Sequence, residues 1–306
     1  MMMRTSKSPK AVAQVAYKVA QQTFPPYRHL KSPKKFTQPQ LITCLVLKEF
    51  FKTDYRGVVE IMRDSTDLRQ TIELQEIPHY TTLQKAAQRF TDKRSMDKLV
   101  GAILKHAIAV RIMKQRVMLA AIDSTGFESR HTSRYFVYRK AKGGAHHQTT
   151  QYTRFPKIGL AVDCASYLVL AGVTSWGPSP DVIHWKHVIH EMLRNMHPRT
   201  LVADAGYDSE ESHRFAREDV GIRSIIPNRS GRPTKKLPTG KYRKIMATRF
   251  NKTLYGQRWQ IETVNSILKR RLGSFLRARS YWAQMREMML RVFTYNVMVV
   301  RRPYIS

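Results

Sequence analysis

Val117-Met118-Leu119-Ala120-Ala121-Ile122-Asp123 is the stretch at which the chain changes period. Before it, apolar residues recur at helical spacing, as in Leu41, Leu45, Val46 and Phe50. Here six apolar residues follow one another and stop at a carboxylate, the pattern of a strand buried on both faces. Thr200-Leu201-Val202-Ala203 repeats the pattern and stops at Asp204. Between the two runs, Lys157 to Asp163 and Tyr167 to Thr174 read as a hairpin turning at Cys164-Ala165-Ser166, and Val182 to Met196 as a helix. After Asp204 come a helix at Ser209 to Arg217, a strand at Ile222 to Ile226 and a basic loop from Pro227 to Asn251. A long helix carrying Tyr255 and a last amphipathic helix from Trp282 to Val300 follow. The order strand, strand, strand, helix, strand, helix, strand makes this an α/β region with a mixed sheet flanked by helices. Open α/β sheets place ligands outside the carboxyl ends of their strands, where Asp123 and Asp204 stand.

Working outward toward the N-terminus, residues 38–114 read as a small all-α domain. Helices cover Gln38 to Phe51, Tyr55 to Met62, a Thr-capped stretch after Pro78 to about Phe90, and Ser95 to Ile112. Short helices on a basic chain suit a DNA-binding or oligomerisation domain, with one helix able to enter a major groove. Residues 1–37 hold eight Lys or Arg, no acid and Pro9, Pro25, Pro26 and Pro33. They read as a basic arm with at most one short helix around Ala11 to Gln22, its order dependent on DNA. The catalytic region is then 115–306, with the basic loop at 227–251.

The 54 Lys and Arg against 22 Asp and Glu give a net charge of +32 over 306 residues. A chain so charged repels itself unless a polyanion is near, and nucleic acid is the natural partner. From Val220 to Ile261 there are eleven Lys or Arg and no acid, among them Arg229, Arg232, Lys235 and Lys236, and these read as phosphate-contacting residues. Cys44 and Cys164 are too few for a disulfide framework or a zinc site and read as small core residues in a reducing compartment. No apolar run is long enough to span a membrane and no signal peptide opens the chain, so a cytoplasmic, nucleoid-associated location is expected.

Within this almost acid-free stretch, YGQRWQIETVNSILK at 255–269 sets Tyr255, Arg258, Glu262 and Lys269 in the spacing Y-x2-R-x3-E-x6-K. On one helix at about 100° per residue they share an edge, with Ile261, Val264, Ile267 and Leu268 mostly on the other side. A solvated charged stripe has the same pattern. If the two strands are neighbours and this helix packs beside them, Asp123, Asp204 and Glu262 converge, and divalent cations must offset their repulsion. Oxygen ligands without cysteine favour two Mg²⁺ ions, with Mn²⁺ able to substitute.

AIDSTG at 121–126, VADAGYDS at 202–209 and YGQRWQIETVNSILK at 255–269 resemble the three blocks of bacterial insertion-sequence DDE transposases, with the tyrosine-arginine-glutamate-lysine signature complete. The resemblance covers residues 117 to 300 and implies a retroviral-integrase-like RNase H fold. It implies Asp123, Asp204 and Glu262 as catalytic metal ligands, and Tyr255, Arg258 and Lys269 as binders of terminal phosphates. Trp259, near the polar edge, is either a stacking platform for an unpaired base or a packing residue at the helix-sheet junction. The implied function is a transposase, a homodimer on double-stranded DNA, that binds the terminal inverted repeats of its element, cleaves there and joins the freed 3′-hydroxyl to target DNA. Residues 227–254 are too few for the large β-rich insertion some relatives carry. Two alternatives are a silent, domesticated DNA-binding protein and an RNase H-like nuclease without strand transfer. Among the remaining candidates, His146-His147 reads as a loop pair reaching DNA or solvent, Asp208 as a helix cap, Asp163 as a turn residue, and Ser124 as bonding locally to backbone.

Overall fold

The computed structural model describes residues 5–29, 31, 33–129, 134–140, 147–229 and 236–300, and over 134–140 and 147–152 the backbone alone. Six helices precede the sheet: α1 (Pro9–Thr23), α2 (Gln38–Phe50), α3 (Tyr55–Asp64), α4 (Thr66–Thr71), α5 (Tyr80–Phe90) and α6 (Lys93–Ala109). Their starts are chemically marked. Ser8 accepts from the Ala11 amide with Pro9 at the first position of α1, Thr37 and Gln40 form a capping box on α2, and Asp54 accepts from the Gly57 amide of α3. The segment expected to be an arm carries a longer helix than its composition suggested. Val12, Val15, Ala16, Val19 and Ala20 recur at core spacing along α1 and are buried, with α2 and α6 packed against the helix, while Lys10 and Lys18 face out.

The rest of the chain begins with β1 (Leu119–Gly126), β2 (Glu128–Ser129), β3 (Arg134–Lys140), β4 (His147–Thr153), β5 (Phe155–Asp163) and β6 (Val169–Gly177). It continues with α7 (Trp185–Leu193), β7 (Thr200–Ala203), α8 (Glu210–Arg214), β8 (Arg223–Ile225), α9 (Lys241–Thr248), α10 (Lys252–Gly256), α11 (Trp259–Leu272), β9 (Phe275–Leu276) and α12 (Tyr281–Val300). Five strands form one sheet in the order β6-β5-β1-β7-β8. β5 is antiparallel to both β1 and β6, whereas β1, β7 and β8 are parallel. This is the mixed sheet expected of an RNase H-like fold. β1 begins two residues later than its apolar run: Met118 is 49% exposed, and pairing starts at Leu119 opposite Thr200. The β3–β4 hairpin pairs apart from the sheet, and α9 interrupts the segment expected to be a basic loop.

The two faces of the sheet are covered by different helices. A Cβ on Gly159 would meet Val188 of α7 at 3.0 Å, and one on Gly172, on the opposite face, would meet Met289 of α12 at 3.2 Å. α12 is buried on nearly every side because α1, α2 and α6 pack on it from one direction and β5 and β6 from the other. At its centre Arg291 is 1% exposed. It donates to Glu49 of α2 at 3.1 Å, to Glu287 at 2.6 Å, and to the carbonyls of Gly273 and Phe275 at 2.7 and 2.8 Å. Glu287 in turn accepts the Arg277 and Ala278 amides. The turn that follows α11 is thereby tied to the N-terminal helices through one guanidinium. Buried Lys48 also pairs with Glu49, so two bases balance two acids, and removing one of the four would leave a buried charge uncompensated, at a cost of about 3–5 kcal/mol. Cys44 and Cys164 are buried and free, as their spacing implied. Among the described residues no helix is long and apolar enough to cross a membrane.

Candidate active site

Asp123 and Asp204 reach the same edge of the sheet by register. β1 and β7 run parallel with Ile122 opposite Ala203, so the next residue along each strand is an aspartate. Asp123 lies opposite Leu160 of β5, and directly opposed residues share a face. On that face α11 packs beside β1, where Asn265 Nδ2 donates to Asp123 Oδ2 at 3.1 Å. Burial, the largest influence, pushes the Asp123 carboxyl up to about 6, and the charges of Asp204 and Asp181 act in the same direction. The Ser124 amide and Arg258 pull it back down.

Asp181, in the turn between β6 and α7, was not among the expected site residues. Its Oδ1 accepts the Ser124 hydroxyl and the Lys157 ammonium, and Lys157 also donates to the Ser179 carbonyl at 2.9 Å. Ser124 therefore bonds to this carboxylate and not to nearby backbone. Asp204 Oδ1 accepts the Gly206 amide at 2.9 Å. A Cβ on Gly206 would sit 3.0 Å from Asp204 Oδ1 and 3.5 Å from Asp181 Oδ2, so the glycine keeps a gap open between the two carboxylates. The Tyr207 hydroxyl is wholly buried without a hydrogen-bond partner. Burial first, and then the charges of Asp181, Asp123 and Asp204, hold the phenol well above its ordinary range.

The motif segment is not one continuous helix. Tyr255 belongs to the short α10, a turn at Gln257 and Arg258 intervenes, and α11 begins at Trp259. The Tyr255 ring packs on Phe250 at 5.0 Å, and the Arg258 guanidinium lies 5.8 Å from that ring. Arg258 pairs with Glu262, one turn further on. Burial works against the charge of Arg258, yet Glu262, Tyr255 and Asp123 together hold it above its ordinary range. Glu262 is 53% exposed and turned toward this arginine. Three residues beyond it, Asn265 touches Asp123, so the helix edge is at the site while the carboxylate is not drawn into it. Among the described residues, no three Asp, Glu, His or Cys side chains stand close enough together to hold an ion. Trp259 is 50% exposed on the first turn of α11. Lys269 lies 6.0 Å from the Phe127 ring and lines an open cleft with Gly126, Phe127, Phe155 and Phe275, beside the end of β1.

Asp208 does not cap the next helix; Ser209 does, through the Ser212 amide. The wholly buried Asp208 side chain accepts the Arg229 amide at 2.8 Å and a bidentate pair of bonds from Arg243 of α9. It thus anchors both flanks of the basic segment. Exposed Arg229 and Lys236 stand at its two sides, while Arg232 and Lys235 lie outside the described residues, as does His146. Asp163 keeps its expected place in the hairpin turn, accepting from Ala165, Ser166 and the Ser166 hydroxyl. Asn265, Asp181 and Tyr207 went unread. Only Asn265, one turn past Glu262 on the same edge, was signalled by spacing.

Comparison with curated proteins gives no match. Two solved structures align loosely. The Mos1 mariner paired end complex with Mn is 10% identical, over 78% of this chain and 74% of that one, with a TM-score of 0.24. A pre-cleavage Mos1 transpososome is 9% identical, over 91% and 82%, with a TM-score of 0.22. The family model described as "Transposase DDE domain" matches residues 118–297, a span that contains Asp123, Asp204 and Glu262 and more than half of the chain. On that match, and with an RNase H-like sheet delivering two aspartates to one edge, the chain belongs to the DDE transposase family of metal-dependent enzymes that cleave and transfer DNA strands.

Proposed function

We propose that this transposase binds the terminal inverted repeats of its own element as a homodimer and acts on them through Asp123, Asp204 and Glu262. The observation that carries this is the register that sets Asp123 and Asp204 side by side, with the helix of Glu262 pinned to Asp123 through Asn265. Members of the family use divalent metal ions. The donor chemistry here suits such ions once Glu262 leaves Arg258 and joins the aspartates: the donors are oxygens, the Asp123 carboxyl is pushed up by burial and by neighbouring acids, and Gly206 leaves a gap a side chain would fill. Two Mg²⁺ ions, or Mn²⁺ in their place, would be held by Asp123, Asp204 and Glu262. When bound they lower the pKa of the attacking oxygen and offset charge at the phosphodiester.

The chain's own residues do the rest. Glu262 exchanges Arg258 for the site, and Arg258, so released, turns to a terminal phosphate. Tyr255 and Lys269 hold phosphates on either side, with Arg229, Arg232, Lys235 and Lys236 along the flank. Exposed Trp259 offers a face to an unpaired base. In the first step water forms a new P–O bond as the bond to the 3′-oxygen breaks. In the second, that 3′-oxygen attacks a target phosphodiester and releases a target 3′-hydroxyl. The helices of residues 38–114 contribute end binding and subunit contact, and the enzyme works at the nucleoid.

The test is Mg²⁺-dependent cutting and joining of DNA that carries the flanking element ends, with wild type beside Glu262→Gln. Both steps are expected to fall on the order of 10³-fold or more in the variant while end binding persists. Tight end binding by the wild type with no cutting in assembled complexes would replace this assignment by a silent DNA-binding protein. Cutting without joining would replace it by a nuclease.

A further inference from the structure

Asp181 is the acid for which the DDE motif has no place, and its two oxygens do different things. One is fully engaged, by the Ser124 hydroxyl and the Lys157 ammonium. The other faces the gap over Gly206, across which stands Asp204 Oδ1. Ser124 is the residue after Asp123, so the contact that orients Asp181 comes from the catalytic strand itself. The buried, unpartnered Tyr207 hydroxyl lies in the field of Asp181, Asp123 and Asp204 together. A buried hydroxyl without a partner is costly to keep, and a water bound to an oxygen-ligated cation would donate a hydrogen bond to its oxygen.

We propose that Asp181 is a fourth carboxylate of the cation site, oriented by Ser124 and Lys157 so that its second oxygen faces, across the Gly206 gap, the same ion or its water shell as Asp204. This rests on the assignment of Asp123 and Asp204 as metal ligands. The bland alternative is that Asp181 only neutralises Lys157, which is nearly buried. The two differ in what removing both partners does. An ion pair that is merely structural can be deleted as a pair, whereas a carboxylate that attracts a cation leaves the affinity low whether or not the lysine remains.

The experiment is Mn²⁺ binding to the full chain without DNA, read from the electron paramagnetic resonance signal of free Mn²⁺. Wild type is compared with Asp181→Asn, Asp123→Asn, Asp204→Asn and the double variant Asp181→Asn/Lys157→Met. Asp181→Asn is expected to weaken the affinity about 10–100-fold, the range for groups that support a metal site. The double variant is expected to remain weak. Wild-type affinity in Asp181→Asn, or its recovery in the double variant, overturns the proposal while leaving the metal assignment intact if Asp123→Asn and Asp204→Asn bind poorly. Wild-type affinity in those two variants removes the metal assignment itself, and this proposal with it. Gly206→Ala keeps every carboxylate, fills the gap and carries the same expectation of weakened binding. It decides the matter should Asp181→Asn fail to fold.

Discussion

The acids of this site are delivered in two ways, and the two halves differ in how much is settled before DNA arrives. Asp123 and Asp204 come from neighbouring parallel strands, so backbone hydrogen bonds set their separation, and burial raises the Asp123 carboxyl. Glu262 comes from an exposed helix edge, and its charge is already matched by Arg258, four residues before it. The strand-borne half is built by the fold. The helix-borne half depends on a choice of partner, which a phosphate competing for Arg258 can change. On the assignment proposed for Glu262, a site split in this way stays incomplete until the substrate that should be cut is present.

The sharpest way to break the contrast is to remove one strand-borne acid. Asp204→Asn or Asp123→Asn should lower cleavage and joining on the order of 10³-fold or more without loss of fold, as assayed on element-end DNA beside thermal unfolding. Retained activity in either would mean that the strands do not carry the chemistry. A second effect belongs to the strand half alone. Asp123 has a folded-state carboxyl raised to about 6 from an ordinary value of 3.8, so the native state binds its proton more tightly than the unfolded chain. Stability should therefore fall as pH rises from about 4 to about 6, by roughly 3 kcal/mol from this group, and stay lower above that window. Denaturant titrations of wild type and Asp123→Asn across the window should diverge by that amount, with Mg²⁺ narrowing the gap at pH 7. Parallel curves at every pH would show that burial and the neighbouring acids do not raise this carboxyl. The smallest effect lies on the helix half. Trp259→Ala should change stability by less than about 0.5 kcal/mol, because the side chain is half exposed, yet weaken end binding by about 1–3 kcal/mol through lost stacking. Normal end cleavage by that variant would dispose of the stacking role.

Much of this was legible in the chain. Apolar runs that stop at an acid, as at Ile122-Asp123 and Ala203-Asp204, gave both the strands and their ligand end, because burial on two faces leaves no other pattern. The pairing of Arg258 with Glu262 went unread, although a spacing of four on a helix brings such side chains together. The break between α10 and α11 went unread too, although Gly256 was its one visible punctuation. The helix around Ala11 to Gln22 was read, but its place in the core was not: lysines and prolines flank a stripe of Val and Ala that is ordinary core. Asp181, Lys157 and Tyr207 could not be placed by any local pattern. Each reaches the site from a different element, and only the sheet register and the turn after β6 bring them to Asp123.

Arg291 ties together parts of the chain made at opposite ends of synthesis. Helices α1, α2 and α6 leave the ribosome early, but each also packs on α12, and Glu49, already beside Lys48, meets Arg291 only when residue 291 has emerged. Until then α1, α2 and α6 have one another, but the apolar surface that α12 covers is open, and a carboxylate destined for the interior is still in water. The turn that fixes the end of the Glu262 helix waits for the same residue. A chain interrupted before Tyr281 therefore lacks the helix on which its helical and sheet parts both pack, together with the guanidinium that joins Glu49 to the turn after α11.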